Sequence, residues 1–293
     1  MRINITAPAK INLALDILGK RPDGYHVVNM VMQSVDLCDT VILTKTDSDG
    51  ITLTCKNPNV PLNNTNIAYR AADKFFEYTG IKDRNINIKI RKKIPIAAGL
   101  AGGSSDGAAV LIGLNKLYSA SLTNEQLCSI GGEIGADIPF CIMGGTMLAE
   151  GTGTILSPLP DMPECYFLIV KPPLSVSTAQ AYSMFDEYGK KSEKSIDCII
   201  DAICAKNLQV VSENLFNVFE SVLDIIEVDI KPIKDIMSYY DAYGSCMSGS
   251  GPSVFAVFSS KNKAEKCAEK IKDEILGAEV FIASPINHGC IID

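Results

Sequence analysis

Three stretches of the sequence carry groups that could do chemistry, and the most extended is a glycine-rich run over residues 95–106, PIAAGLAGGSSD. Glycines let backbone N–H groups approach a ligand, and a helix that begins here would add unpaired donors and a partial positive charge. Both features favour a bound phosphate. The run alone leaves open a second interpretation, in which its small residues only permit a tight turn and close helix packing.

The other two stretches place a charged residue in apolar surroundings. Lys10 lies in PAKINL, and Asp137 lies in ADIPF. A solvated strand edge would account for Lys10, and a capped turn would account for Asp137. Otherwise Lys10 would be a charge directed at another group, and Asp137 would need a cationic or hydrogen-bonding partner, because an unpaired buried charge is costly. The local sequence leaves the simpler interpretation open for each residue.

The hydrophobic periodicity around the glycine-rich run predicts the elements that would position it. Isoleucines alternate with polar residues over 86–91, which predicts a half-buried strand before the run. An apolar stripe after the run predicts a helix whose N-cap is one of residues 104–106. Further strands are predicted at residues 2–18, 27–37 and 39–46. A strand, a glycine-rich loop and a helix in this order would present the start of the helix to a ligand.

The chain is long enough for two domains, and proline-rich residues 158–163 are the best candidate boundary. We therefore predict one domain at residues 1–158 and a second at residues 159–293. Helices and strands alternate in the second half, which favours a two-layer α+β domain of the split β-α-β type. A second glycine-rich loop, residues 245–252, lies in that half.

Composition argues against several classes of function. The net charge is −7 and no long basic block occurs, so a nucleic acid is not expected as a partner. The first residues lack the pattern of a secretory signal and no uncharged run reaches membrane-spanning length, so a cytoplasmic protein with no membrane partner is expected. Ten cysteines occur without a C-x-x-C pair and with only two histidines, which argues against a disulfide framework and a zinc site.

Five motifs resemble those of the GHMP kinases, in that family's order. They are PAKINL from residue 8, RPDGYH from residue 21, GGSSD from residue 102, GADIPF from residue 135 and SGSGPSVF from residue 248. The resemblance covers nearly the whole chain. It implies an α+β, two-domain GHMP kinase fold, with an N-terminal ribosomal-protein S5 domain 2-like domain, a C-terminal ferredoxin-like domain and the active site between them.

Within that family, the chain is most similar to members that use ATP and Mg²⁺ to phosphorylate a hydroxyl of a cytidine diphosphate methylerythritol, in the non-mevalonate route to isoprenoid precursors. The resemblance implies that Asp137 is the catalytic base and that Lys10 is its partner. It implies an ATP phosphate site formed by Pro95, Ile96, Ala97, Ala98, Gly99, Leu100, Ala101, Gly102, Gly103, Ser104 and Ser105. It implies contacts to the small-molecule substrate from Asn12, Tyr25, His26, Thr178, Tyr182 and Gly249.

The resemblance also implies that Tyr25 and Tyr182 enclose the cytosine ring and that His26 forms a hydrogen bond to the base. One departure concerns Ala97 and Ala101, which stand with Ala98 where the family often has glycine, because alanine resists a positive φ. A homoserine or mevalonate type of GHMP kinase and a non-catalytic nucleotide-binding protein remain alternatives. The resemblance further implies a monomer or a weak homodimer.

Overall fold

The computed structural model describes residues 1–293 and contains two β-sheets with helices packed against them. The strands are β1 Arg2–Lys20, β2 His26–Lys45, β3 Ile51–Cys55, β4 Ile86–Arg91, β5 Thr146–Gly151, β6 Ile155–Pro158, β7 Tyr166–Lys171, β8 Phe216–Asn217, β9 Gly244–Met247, β10 Val254–Phe258, β11 Glu279–Ala283 and β12 Ile291–Ile292. The helices are α1 Ile67–Thr79, α2 Gly102–Leu117, α3 Asn124–Gly132, α4 Ile138–Met143, α5 Thr178–Tyr188, α6 Ile196–Cys204, α7 Leu208–Glu213, α8 Lys231–Tyr239 and α9 Lys261–Glu274, with a 3₁₀ turn at Val218–Val222.

The first sheet is built on the long antiparallel pair of β1 and β2. One half of β2 pairs with β5 and the other half pairs with β4, so two short neighbours share one long strand. The sequence predicted two strands at 27–37 and 39–46, and this prediction was wrong because β2 is continuous. Opposite the junction, the partner of β1 changes from Cys38 at Pro8 to Val35 at Ala9, and this irregularity bends the pair without ending either strand.

Helix α2 lies directly on β1 and β2. A Cβ atom at Gly113 would lie 2.6 Å from Leu43 and 2.8 Å from Ile5, so the absence of a side chain lets the helix approach the sheet. The helix begins at Gly102, and its N-cap, Ala101, has no side-chain cap. The prediction of a cap among residues 104–106 was therefore wrong, because Ser105 and Asp106 are buried and make contacts inside the protein.

The second sheet has the antiparallel order β11, β7, β10, β9, and helices α5 to α9 fall between its strands along the chain. The predicted α+β class is therefore confirmed. Two strands beyond residue 158 nevertheless belong to the first sheet, since β8 and β12 both pair with β1. The exact division after residue 158 stays a prediction, and one connected apolar core runs through both halves.

All ten cysteines are free thiols, and none of the helices is both long enough and apolar enough to cross a bilayer.

The C-terminal segment returns from the second sheet to the first. Gln33 donates through Nε2 to the carbonyl of Ile286 at 2.9 Å, and Cys290 N donates to the carbonyl of Cys141 at 2.9 Å, next to α4. Gly289 crosses α4 so closely that a Cβ atom there would lie 2.4 Å from the carbonyl oxygen of Ile142. The end of the chain therefore supports the helix that directly follows Asp137.

We expect Gly289→Ala to lower the free energy of unfolding by about 1–3 kcal/mol, because a methyl group would meet backbone atoms that have no room to move. Urea denaturation would measure the loss. Gly19→Ala is the matched control, since a Cβ atom at Gly19 would have nothing within 4 Å. Equal stability of the two variants would contradict the close crossing.

Candidate active site

One large cavity of about 1180 Å³ lies between the two halves of the molecule. From the first half it is lined by Lys10, Asp137 and most of the glycine-rich run. From the second half it is lined by Thr178 and Tyr182 of α5 and by the second glycine-rich loop. Residues that are distant in sequence therefore meet around a single space large enough for two ligands.

The glycine-rich run forms one wall of the cavity, with all residues from Pro95 to Ser104 in its lining. The backbone N–H groups of residues 96–104 donate to no other group of the chain. Successive unpaired N–H groups that continue into a helix N-terminus form an anion-binding site. Ser105 differs, since it is fully buried and its hydroxyl donates to the carbonyl of Pro8 at 2.7 Å.

Two alanines of this loop adopt the conformation that the sequence analysis identified as unfavourable for them. The φ angles are 51° at Ala97 and 55° at Ala101, and Gly99 between them has 72°. A left-handed alanine costs roughly 1–2 kcal/mol, so tertiary contacts must hold the loop in this shape.

The second glycine-rich loop supplies such contacts. The hydroxyl of Ser248 donates to the carbonyl of Gly99 at 3.0 Å, and it accepts from the backbone N–H of Asn12 at 3.2 Å. A Cβ atom at Gly99 would lie 2.1 Å from the Ser248 carbonyl oxygen, so this position requires glycine. Asn217 holds the second loop in turn by donating to the carbonyls of Met247 and Gly249 at 2.8 Å each.

Lys10 and Asp137 both line the cavity, but no ion pair joins them in this structure. Lys10 is 4% exposed, and its Nζ donates to Asn12 Oδ1 at 2.6 Å. Asp137 is half-buried at the start of α4, and its carboxylate has no hydrogen-bond partner in the chain. A fully buried Asp137 would need a partner, but this carboxylate is half-buried and faces an open cavity.

The charges of Asp137 and Lys10 nevertheless both affect the pKa of the same buried thiol, that of Cys141. Burial raises the pKa of the Cys141 thiol well above its usual range, the charge of Asp137 raises it further, and the charge of Lys10 lowers it. Burial and the charge of Asp137 also raise the pKa of Tyr182 to about 12. Asp137 thus lies within electrostatic reach of both Cys141 and the aromatic end of the cavity.

The aromatic end differs from the predicted enclosure by two tyrosines. Tyr25 is 67% exposed at the cavity edge, and Tyr182 stacks on His26 with ring centroids 4.5 Å apart and an interplanar angle of 25°. Phe219 packs edge-on against Tyr182 at 4.9 Å. Because His26 covers one face of Tyr182, a flat ligand that stacks on this face would have to displace His26. Thr178 lies nearby, with its hydroxyl 2.9 Å from that of Ser250.

A buried ionic cluster that the sequence analysis missed lies beneath the glycine-rich run. Lys92 follows β4 and forms ion pairs with Asp39 and, at 2.8 Å, with Asp106. Asp39 also accepts from the backbone N–H groups of Lys93 at 2.6 Å and Ile94 at 2.9 Å. A lysine after a strand and an aspartate within another strand carry no local signal of pairing, so only the fold brings them together.

The charges in this cluster do not balance. Burial raises the pKa of Asp106 and the nearby Asp39 adds to this effect, so the pKa is about 7 even though Lys92 lowers it, and Oδ1 of Asp106 has no partner. Burial lowers the pKa of Lys92, but the two carboxylates outweigh this effect and leave it raised. Asp106 is therefore the member of the cluster that takes up a proton near neutral pH.

The chain contains no group of three or more histidine, cysteine or acidic side chains that could hold a metal ion. Mg²⁺ usually binds through one or two carboxylates together with substrate phosphates, so it needs no cage made of protein alone. The unpartnered carboxylate of Asp137, facing the same cavity as the N–H groups, fits that mode of binding.

Two segments of the chain match known domain families. "GHMP kinases N terminal domain" matches residues 66–145, which include the glycine-rich run and Asp137, and "GHMP kinases C terminal" matches residues 199–275. A protein of Caldicellulosiruptor bescii named 4-diphosphocytidyl-2-C-methyl-D-erythritol kinase is 45% identical over 270 residues, which cover 92% of this chain and 94% of the relative.

Solved structures show the same fold. A crystal structure of 4-(cytidine 5'-diphospho)-2C-methyl-D-erythritol kinase has a TM-score of 0.78 and 28% identity, and the match covers 99% of this chain and 100% of that one. Homoserine kinase from Cytophaga hutchinsonii has a TM-score of 0.80 at 21% identity, covering 100% of this chain and 97% of that one. The overall fold therefore does not distinguish between these substrates.

The raised pKa of Asp106 predicts a specific dependence of stability on pH. The folded value of about 7 exceeds the ordinary value of 3.8, so the folded protein binds a proton that the unfolded chain releases. Stability should therefore fall as pH rises from about 4 through about 7. Relative to Asp106→Asn, we expect the parent to lose more than about 1 kcal/mol of unfolding free energy between pH 5 and pH 8.

Urea denaturation of both proteins at the two pH values would measure this difference. Asp73→Asn, which removes an acid from an exposed pair with Arg84, is the control and should show no comparable change. A constant difference between the parent and Asp106→Asn would mean that Asp106 is ionised throughout.

Proposed function

This chain belongs to the 4-diphosphocytidyl-2-C-methyl-D-erythritol kinases of the GHMP kinase family, and we propose from this and from its cavity how it acts. It is an ATP-dependent kinase that phosphorylates the 2-hydroxyl of 4-diphosphocytidyl-2-C-methyl-D-erythritol, in the non-mevalonate route to isoprenoid precursors. The observation that best supports this function is the combination, in one cavity, of unpaired N–H groups at residues 96–104 and an aromatic group at Tyr25, His26 and Tyr182.

The N–H groups of residues 96–104 are suited to hold the phosphates of ATP. They stabilise negative charge through hydrogen bonds and through the positive end of α2. Among the residues that the sequence analysis assigned to this site, Ser105 has its hydroxyl and its N–H engaged within the protein, so we assign it a supporting role. Mg²⁺ would enter with ATP next to Asp137 and neutralise phosphate charge during transfer.

Asp137 is the group best suited to take the proton from the attacking hydroxyl. Its carboxylate is half-buried, unpartnered and open to the cavity, so it is available to a hydroxyl of the substrate. The Lys10 ammonium lies near Gly249, where a Cβ atom would be 3.4 Å from Nζ. From there its positive charge can stabilise the attacking oxygen, while Asn12 orients the ammonium through their hydrogen bond.

The aromatic end favours a substrate that contains a nucleobase. Homoserine and mevalonate are aliphatic and would not stack, whereas cytosine is a flat π system that would pack against Tyr25 and the rings of His26 and Tyr182. Thr178 lines the cavity one helical turn before Tyr182, and Gly249 lines it close to Lys10, so both are suitably placed for contacts to the diphosphate and the methylerythritol. The oligomeric state, a monomer or a weak homodimer, stays a prediction.

A coupled ADP-release assay would test the substrate. We expect turnover with ATP, Mg²⁺ and 4-diphosphocytidyl-2-C-methyl-D-erythritol, and none with homoserine or mevalonate, because only the first substrate occupies the aromatic end. Turnover with an aliphatic substrate alone would contradict the proposed role of Tyr25, His26 and Tyr182. If ATP bound without turnover of any of the three substrates, the chain would instead be a nucleotide-binding protein.

Replacement of the two charged residues would test the mechanism. Asp137→Asn and Lys10→Ala should each lower kcat by roughly 10² to 10⁴, the usual contribution of a general base or of a charge that stabilises the transition state. The KM for ATP should change little in Lys10→Ala, since Lys10 belongs neither to the glycine-rich run nor to the group suited to Mg²⁺. Turnover within a few-fold of the parent in both variants would refute the assignment. Asp235→Asn, which alters an exposed ion pair with Lys231, is the control.

A further inference from the structure

Asp186 lines the cavity near its aromatic end. It lies on α5 one helical turn after Tyr182, so both side chains belong to the same side of the helix. Its carboxylate forms an ion pair with Lys20, at the end of β1, and accepts from His26 Nε2 at 2.6 Å, at the start of β2. Asp186 therefore connects a helix of the second half to the strand pair of the first half, next to the aromatic end.

The bond to Asp186 determines which nitrogen of His26 carries a proton. Hydrogen bonds from Lys20 and His26 hold the pKa of Asp186 below its usual range, so the group is an ionised acceptor. An ionised carboxylate cannot donate, so Nε2 of His26 must carry the proton. In the neutral ring the other nitrogen, Nδ1, then has a lone pair and accepts hydrogen bonds.

The position of the His26 ring is also restricted. The ring stacks on Tyr182, and only 9% of the side chain is exposed. Nδ1 has no partner within the chain, yet it is not among the enclosed unpartnered atoms, so it keeps contact with solvent. With one face covered by Tyr182 and Nε2 held by Asp186, the ring presents Nδ1 as a fixed acceptor at the edge of the cavity.

We propose that Asp186 is a positioning residue that, by holding His26 with Nδ1 as an acceptor, makes the enzyme select cytosine over uracil. The proposal rests on the function proposed above, because it needs a pyrimidine at the aromatic end. Cytosine carries an amino donor at the position where uracil carries a carbonyl acceptor. The fixed lone pair of Nδ1 accepts a hydrogen bond from the amino group of cytosine. It would repel the carbonyl of uracil, because two acceptors would then face each other.

A purely structural role for Asp186 makes a different prediction. If Asp186 served only to join α5 to the strand pair through Lys20, its loss would weaken both pyrimidine substrates equally. If it sets the polarity of His26, its loss should mainly weaken the cytidine substrate, since a ring that is free to expose either nitrogen can also donate to uracil. The ratio of kcat/KM for the two substrates therefore separates the two roles.

The experiment compares the cytidine substrate with its uridine counterpart in the ADP-release assay. We expect Asp186→Asn to lower the cytidine-to-uridine ratio of kcat/KM by about tenfold, the effect of one lost hydrogen bond of correct polarity, with the KM for ATP unchanged. Asp186→Glu keeps a carboxylate and should retain most of the ratio. Asp235→Asn is the remote control and should retain all of it.

Two further measurements complete the test. In a His26→Ala background, Asp186→Asn should change the ratio no further, because its effect passes through His26. The chain has only two histidines, so nitrogen NMR of ring-labelled protein can assign His26 directly, and we expect an unprotonated Nδ1 in the parent protein. This measurement remains decisive if Asp186→Asn does not fold.

An unchanged ratio in Asp186→Asn, equal losses for both substrates, or a protonated Nδ1 beside a bare Nε2 would each overturn the role of Asp186. These outcomes differ from failure of the proposed function, which would appear as no turnover of the cytidine substrate by the parent protein.

Discussion

The site depends on a row of backbone N–H groups, at residues 96–104, that the chain leaves without partners. The residues that carry these donors line the open cavity, and the two left-handed alanines of the loop add strain of roughly 1–2 kcal/mol each. The fold supports this arrangement by binding the loop through its other groups. The carbonyl of Leu100 accepts from Lys10 N, the carbonyl of Gly99 accepts from Ser248, and the hydroxyl of Ser105 donates to Pro8. These contacts hold the loop in place through groups other than the N–H groups of residues 96–104.

The charged groups around the cavity differ in whether they have a partner, and Lys92 and Asp106 belong to its lining as Asp137 does. Asp39, Lys92 and Asp106 lie beneath the loop, where they tie the end of β4 to the start of α2. Asp137 faces the cavity without a partner, which leaves its carboxylate available to a ligand. Ion pairing thus gives one set of charges a structural role, and the lack of a partner leaves Asp137 available, although the residue types are the same.

The strand, loop and helix around residues 86–117 could be predicted because each is encoded by neighbouring residues. Alternating isoleucines indicate β4, and the apolar stripe indicates α2. The N-cap could not be predicted from the same stretch. Ser105 and Asp106 are good capping residues by type, but Pro8 and Lys92 engage them inside the fold, and neither partner is adjacent in sequence. The continuity of β2 could not be predicted for a related reason. Its pairing with β1 continues on both sides of the register shift at Pro8 and Ala9, and β1 is a separate segment of the sequence.

By itself, the sequence determined the residue types, the local elements and, through five motifs in order, the family. The tertiary structure alone decided which of these residues are partners. Asp39 and Lys92 are 53 positions apart, and His26 and Asp186 are 160 apart, so no local pattern could have joined them. The physical reason is that hydrophobic periodicity reflects the geometry of one helix or strand at a time. Ion pairs, ring stacking and the polarity of His26 arise only where separate elements pack together.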